Sequence, residues 1–490
     1  MEFISTRGGE RVNFASNAIA KGLACDSGLF VPAKFPDVSK ELDKILDMDY
    51  AETAAFVLSK YLEEYDYDAL LTACKNAYAK FEDNDAAPVV KIDDKLFILE
   101  LFHGPTLAFK DIALTLLPYL LREGCNKSGI KEEVLILVAT SGDTGKAALE
   151  GFKDQPGIKI MVFYPSEGVS DMQKLQMSTQ EGKNVRVCAV KGNFDDCQSA
   201  VKTIFAGKEY AEKLLEKNVV LSSANSINFG RLAPQIAYYF SSYAELVNSG
   251  EISLGDEIDF CVPTGNFGNI LAGYYAKKMG LPIKKLVCAS NQNNVLTDFF
   301  DTGCYDINRE FYKSASPSMD ILISSNLERL IFELTSRNEK LTAERMSELS
   351  KCKKYSITDE EREDVLKTFS AGYCDEDECY DTIADFFDEY GYPLDPHTAV
   401  AISVADDKIE DRPMVVLSTA SPYKFPSVVY NAITEKVEED AFKASDKLER
   451  ETAAPVPEQI RDLKKKEIRF TKVIDRENIA DAVFDFINNK

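Results

Sequence analysis

The stretch VLILVATSGDTGKAALEGF, residues 134–152, changes character along its length. It opens with an unbroken apolar, β-branched run, passes through a turn of Gly and hydroxyl residues, and ends with helix-forming residues. An unbroken apolar run is what a strand needs when both of its faces are covered, as in a parallel sheet. Working outward, the same signal recurs in IKIMVFY (158–164), VRVCAV (185–190), VVLSSA (219–224), IDFCVP (258–263), KKLVCAS (284–290) and MVVLST (414–419). Helix-like stretches separate most of these runs, which predicts an α/β fold with mostly parallel sheets flanked by helices.

Two of the runs open directly into glycine-rich turns and then helices: the one at 134 and CVPTGNFGNILAGYY (261–275). Neither is a nucleotide motif. GDTGKA has Thr140 and Ala147 where a P-loop needs glycine and a hydroxyl, and Gly265 and Gly268 do not have the GxGxxG spacing. The physics still favours an anion. Glycines allow close backbone approach, and a helix beginning near Asn269 aims free N–H groups into the turn. TGNFGN would suit one phosphate, or be a tight βα turn with no ligand.

The chain of 490 residues is too long for one core, so two or three domains are expected. Residues 1–95 read as a helical region, 96–130 with 246–430 as a large α/β domain, 131–245 as a smaller one, and 431–490 as an extension on the large domain. Thr358 and Glu361 fit a capping box; LERETAAPVPEQ (448–459) reads as a linker or loop, and ENIADAVFDFINNK as an amphipathic helix. The formal charge of −24 argues against nucleic acid and anionic membranes as partners. No apolar run is long enough to span a bilayer, and the first residues carry no signal-peptide pattern. Eleven cysteines without CxxC spacing then predict a cytoplasmic protein with reduced thiols. Two distant histidines and scattered cysteines give no metal-ligand spacing, and the acidic CDEDEC (374–379) reads as a solvated loop.

Lys110, in HGPTLAFKDIAL (103–114), stands among apolar residues. If FKDIALTLL is a buried helix, desolvation favours its neutral amine, which is a nucleophile able to form a Schiff base. A lysine that snorkels to pair with Asp111 or Glu100 is the alternative. A Schiff-base lysine, a one-phosphate loop and an α/β fold are together the parts of a pyridoxal phosphate enzyme.

The sequence resembles the threonine synthases, which are fold-type II (tryptophan synthase β-like) pyridoxal phosphate enzymes. Ordered blocks carry the resemblance: STRG (5–8), GLACDSGLFVP (22–32), HGPTLAFKD, ATSGDTGKAA, SANSINFGRLAPQ, PTGNFGN, SPSMDI, LDPHTAVA and LSTASPYKF. One departure is Ser27, where the family more often has glycine. The resemblance implies two open, twisted, mostly parallel sheets and pyridoxal 5'-phosphate as cofactor, with Lys110 as the covalent attachment point. Gly265, Asn266, Phe267, Gly268 and Asn269 would hold the coenzyme phosphate, and Thr419 would bond the pyridine nitrogen.

The implied substrate is a small phosphorylated amino acid, O-phospho-L-homoserine, converted with water to threonine and phosphate. Its two anionic groups are expected to meet Ser141, Asp143, Thr144, Lys146, Asn228 and Arg231, with His103 an orienting group and His397 structural. A monomer or homodimer is expected. A phospholyase or amino-acid dehydratase on the same scaffold, or a non-catalytic homologue acting as a binding protein, are the competing readings.

Overall fold

The computed structural model describes residues 1–82, 85–140, 142–167, 169–192 and 194–488. All seven apolar runs are strands, and they divide between two sheets. The smaller sheet has five strands in the order Val473–Asp475, Val185–Lys191, Ile158–Pro165, Glu133–Ala139, Val219–Ser222, and every pairing is parallel. The larger has six, in the order Phe369–Tyr373, Ile283–Ser290, Ile258–Pro263, Met414–Ser418, Leu96–Glu100, Val89–Lys91; only the last pairing is antiparallel.

Period-two alternation splits each central strand between two cores. Val134, Ile136 and Val138 join a central core shared with the N-terminal region, whereas Leu135 and Leu137 pack on the outer face of the smaller sheet. In the larger sheet, Phe97, Leu99, Val415 and Leu417 face that same central core, and Leu96, Ile98, Met414 and Val416 face away from it. Both faces are apolar, which is why the runs look continuous in the sequence.

The first 95 residues are not purely helical. Helices Ala15–Lys21, Tyr50–Ser59 and Tyr67–Tyr78 are joined by an antiparallel sheet of Arg11–Val12, Phe3–Ser5 and Phe30–Pro32. Helix Pro234–Asn248 packs on Gly268–Lys278 and Tyr50–Ser59, and Tyr239 meets Phe260 of the larger sheet edge-on at 4.8 Å.

The C-terminal extension serves both sheets rather than the larger alone. Leu448, Val456, Ile460 and Leu463 join the large-sheet core. Farther on, Val473–Asp475 adds a strand beside Val185–Lys191, and Ile474, Ile479, Val483 and Phe486 cover Leu135, Leu137 and Phe163. Those apolar positions need a second surface that the large domain does not offer. The stretch from 448 was expected as loop, but it begins inside helix Ala441–Thr452. CDEDEC is a helix start and not a solvated loop: Asp375 caps Glu376–Tyr390 in a capping box with Glu378, and Cys374 and Cys379 are buried. Acidic residues there oppose the positive end of the helix dipole. The box at Thr358 and Glu361 forms as expected.

One close approach sets the two lobes against each other. Helix Lys110–Leu114 packs on Asp143–Phe152, and a Cβ on Gly151 would lie 2.0 Å from the Leu114 carbonyl oxygen. Glycine is the residue that lets these helices meet. The two helices begin side by side, at Lys110 and Asp143.

Candidate active site

The carboxyl ends of parallel strands share one sheet edge, where ligands of such sheets bind. On the larger sheet, the segments after Leu96–Glu100, Ile258–Pro263 and Met414–Ser418 meet at that edge. The segment before Lys110 is zipped to the one after Ser418. Phe109 N–H donates to the Thr419 carbonyl at 2.9 Å, and Ser421 N–H to that of Leu107 at 3.1 Å. Leu107 is left-handed, with φ of 61°. For a branched residue that conformation costs roughly 1–2 kcal/mol, a strain met most often at functional sites. Asp111 closes the turn by accepting from Thr106 N–H and Oγ1, both at 2.7 Å. Burial, opposed by these bonds, leaves its carboxyl raised to about 6.

Lys110 is buried, as its apolar flanks predict. Its Nζ donates to Ser318 Oγ at 3.0 Å and lies 3.5 Å from Asp143 Oδ2. Burial lowers the pKa of the amine; Lys424 and Arg231 act in the same direction, and Asp143 opposes them. It does not snorkel, and its neighbour Asp111 is occupied by Thr106.

Asp143 is the anion at the centre. Lys424 Nζ is 2.8 Å from its Oδ1, Gln173 Nε2 donates to Oδ1 at 3.2 Å, and Ser318 Oγ donates to Oδ2 at 3.3 Å. Burial alone would raise its pKa, but Lys424 and Lys110 hold the carboxyl well below the usual range. Arg231 is buried too, and burial pushes its guanidinium down to about 10. It donates to the Ala224 carbonyl at 3.0 Å and to Thr144 Oγ1 at 3.5 Å; among the described residues no carboxylate pairs with it. Lys110 and Lys424 thus share the Asp143 carboxylate, and Arg231 lies near Lys110 without a carboxylate of its own among the described residues, a local surplus of positive charge in a chain of net charge −24.

The glycine turn fits a phosphate. Phe267 adopts the left-handed conformation, with φ of 61°, and starts helix Gly268–Lys278, whose first N–H groups lack intrahelical partners. A Cβ on Gly265 would lie 2.7 Å from the Ser318 carbonyl oxygen, and one on Gly268 would lie 3.4 Å from Asn326 Nδ2. Asn269 is buried; its Oδ1 accepts from Tyr238 and Tyr239, while its Nδ2 has no partner among the described residues. A buried donor of this kind costs about 1–3 kcal/mol unless something accepts from it. Thr419 is buried at the end of the central strand; its carbonyl is used by Phe109, and its hydroxyl joins none of the hydrogen bonds among the described residues.

Comparison with known families matches nearly the full length of the chain. Residues 2–78 match the threonine synthase N terminus, 86–420 the pyridoxal-phosphate dependent enzymes, and 398–487 the threonine synthase C-terminal family.

The chain belongs to the threonine synthase family.

Among members of the family, threonine synthase from Pseudomonas aeruginosa is 39% identical over 440 residues, covering 88% of this chain and 90% of that one. Human threonine synthase-like 1 is 43% identical over 438 residues, covering 86% of this chain; the chain spans only 58% of that relative's length. Pyridoxal phosphate-bound threonine synthase from Brucella melitensis superposes with a TM-score of 0.89 at 36% identity over 100% of both chains. The fold-type II architecture expected from the sequence is the one found.

The other expected residues of this family member divide. Gly265, Phe267, Gly268 and Asn269 line the turn, whereas Asn266 is exposed, its side chain meeting Ser325. Thr144 lies beside Arg231, and Ser141 falls outside the described residues. Lys146 is engaged by Glu150 and Gln180. Asn228 caps Phe229–Leu232 through Gly230 N–H and spends its amide on the Ile19 and Ser223 carbonyls at 3.0 and 2.8 Å. His103 pairs with Glu100 at 2.7 Å and stacks on Phe102.

Sequence reading missed Lys424, Ser318 and Gln173. Lys424 and Ser318 lie in the quoted blocks LSTASPYKF and SPSMDI, so the signal was a polar residue inside a block of the resemblance; the first block already carried Thr419, the second no assigned residue. Gln173 had no local signal. Among the described residues no cluster is fit for a metal ion, and no helix is long and apolar enough to cross a membrane.

Proposed function

We propose that this protein converts O-phospho-L-homoserine and water to L-threonine and inorganic phosphate, with pyridoxal 5'-phosphate held by Lys110, the 265–269 turn and Thr419. The observation that carries the reading is the buried guanidinium of Arg231, with no carboxylate partner among the described residues, beside Lys110, Lys424 and the start of helix Asp143–Phe152. A doubly anionic substrate is what such a cation surplus favours. When bound, the coenzyme supplies an electron sink for the substrate carbanion.

The chain's own residues supply the rest. Lys110 Nζ is poised by opposing influences: burial with Lys424 and Arg231 favours the neutral amine, and Asp143 favours the ammonium. An amine so balanced accepts a proton at one carbon and returns it at another without leaving the site. Arg231, with the N–H groups at the start of Asp143–Phe152, offers a fork to one substrate anion. Thr419 offers a neutral hydroxyl where an acid would protonate a ring nitrogen outright, so reaction choice rests on proton placement at Lys110. Asp143 comes from the smaller lobe and reaches Lys110 and Lys424 of the larger, which keeps water from the amine between them.

Purified protein given O-phospho-L-homoserine should release threonine and phosphate in equal amounts. Keto acid in place of threonine would instead identify a phospholyase or dehydratase. A yellow colour bleached by borohydride, with the label on Lys110, separates an enzyme from a binding protein. We further place the protein in the cytoplasm as a monomer or homodimer; its eleven cysteines are all free thiols, in keeping with a reducing compartment.

A further inference from the structure

Ser318 is the hydroxyl in contact with the Lys110 amine, and it sits in the short turn Pro317–Met319. A short turn does not hold a side chain by itself. Its backbone N–H donates to His397 Nε2 at 3.2 Å. Because a backbone N–H can only donate, Nε2 must be an acceptor, so His397 is neutral here and carries its proton on Nδ1. Nδ1–H points at Asp395 Oδ1, 2.7 Å away. Asp395 in turn is fixed as the cap of helix Pro396–Asp406, accepting from the N–H groups of His397 and Thr398 and from the Thr398 hydroxyl. Asp395, His397 and Thr398 are buried, and the His397 ring rests on Phe425 at 5.0 Å. The charged groups near the imidazole are Asp395 on its own helix and Asp143 from the facing lobe, the latter neutralised by Lys424 and Lys110. The Ser318 carbonyl also abuts Gly265, so the same turn touches the phosphate loop and the lysine.

We propose that His397, oriented by Asp395, is a positioning residue that sets the Ser318 hydroxyl against the Lys110 amine and thereby fixes the direction in which that amine presents its protons. The proposal rests on Lys110 being the coenzyme lysine. A merely structural histidine would need only to fill its space; this one must offer an acceptor at Nε2.

The test compares coenzyme-loaded wild type with three variants. In His397→Gln the side-chain oxygen reaches the place of Nε2 and still accepts from Ser318. In His397→Asn the amide reaches only the place of Nδ1. Ser318→Ala removes the hydroxyl and keeps the N–H. The readouts are the pH midpoint of the lysine–coenzyme absorbance change, kcat and KM taken separately, and thermal unfolding. His397→Asn and Ser318→Ala should move the midpoint by about half a pH unit or more and lower kcat about tenfold, with KM changed less than about threefold. His397→Gln should keep the wild-type midpoint. A midpoint common to all four proteins overturns the proposal, as does a His397→Gln protein as altered as His397→Asn. If His397→Asn does not fold, Ser318→Ala decides by the same midpoint. Borohydride labelling of wild type is the separate control: a label absent from Lys110 removes the reading on which the proposal rests, and a label present with unmoved midpoints removes the proposal alone.

Discussion

Asp143→Asn isolates the electrostatics of the site. The carboxylate and Lys424 are 2.8 Å apart with side chains 3% and 2% exposed, and Lys110 lies 3.5 Å away. Removing one member of a buried ion pair costs about 3–5 kcal/mol, since the other charge stays buried without its partner. The Asn oxygen can still accept from Lys424, and a neutral hydrogen bond restores about 1 kcal/mol. The expected net loss is about 3 kcal/mol at pH 7. The pH dependence has a definite sign. The folded carboxyl titrates well below its unfolded value, so its stabilisation is complete above the unfolded value of about 4 and is lost as the pH falls below it. Urea unfolding of the coenzyme-free proteins from pH 8 to pH 3 measures this. The gap between wild type and variant should be flat down to about pH 5 and narrow below about pH 4. Equal stabilities at neutral pH, or a gap that persists unchanged in acid, would refute the account of Asp143 as the buried counter-ion of this site.

Other substitutions probe the remaining parts. Asn269→Asp keeps an acceptor for Tyr238 and Tyr239 but replaces the free Nδ2 with a carboxylate oxygen, so coenzyme affinity measured by absorbance titration should fall about a hundredfold or more. Arg231→Lys retains a charge but loses the planar fork that spans Ala224 and Thr144 and that the proposed function assigns to a substrate anion. KM for O-phospho-L-homoserine should rise about tenfold or more, with coenzyme absorbance unchanged. Ser27 is exposed and left-handed, with φ of 63°, at the position where glycine is the commoner family residue. Ser27→Gly should stabilise the protein by about 1 kcal/mol in denaturant unfolding, with no change in activity.

The parallel strands were legible because burial on both faces writes an unbroken apolar run into the chain. Strands that lack this signature escaped notice: FSAGY at 369–373 is an edge strand whose three small central residues interrupt the apolar run, and Val473–Asp475 is three residues long. Lys110 was legible because its neighbours Leu107, Ala108, Ile112 and Leu114 are core residues, and a lysine among them must be desolvated. The Gly265 turn was legible because glycines between a strand and a helix signal close approach.

By itself, then, the sequence determined the seven apolar strands, that one lysine is stripped of water, and that one glycine turn joins a strand to a helix. These follow from local periodicity and side-chain chemistry, which act within a few residues. Only the tertiary structure decided that Asp143 comes from the second lobe to face Lys110, that Lys424 rather than Lys146 pairs with it, that Asn228 is consumed by a helix cap, and that the tail completes the smaller sheet. The reason is geometric: parallel strands bring their carboxyl ends to one edge whatever their separation along the chain, and strand order and the docking of two sheets are set by the whole packed core, which no short stretch encodes.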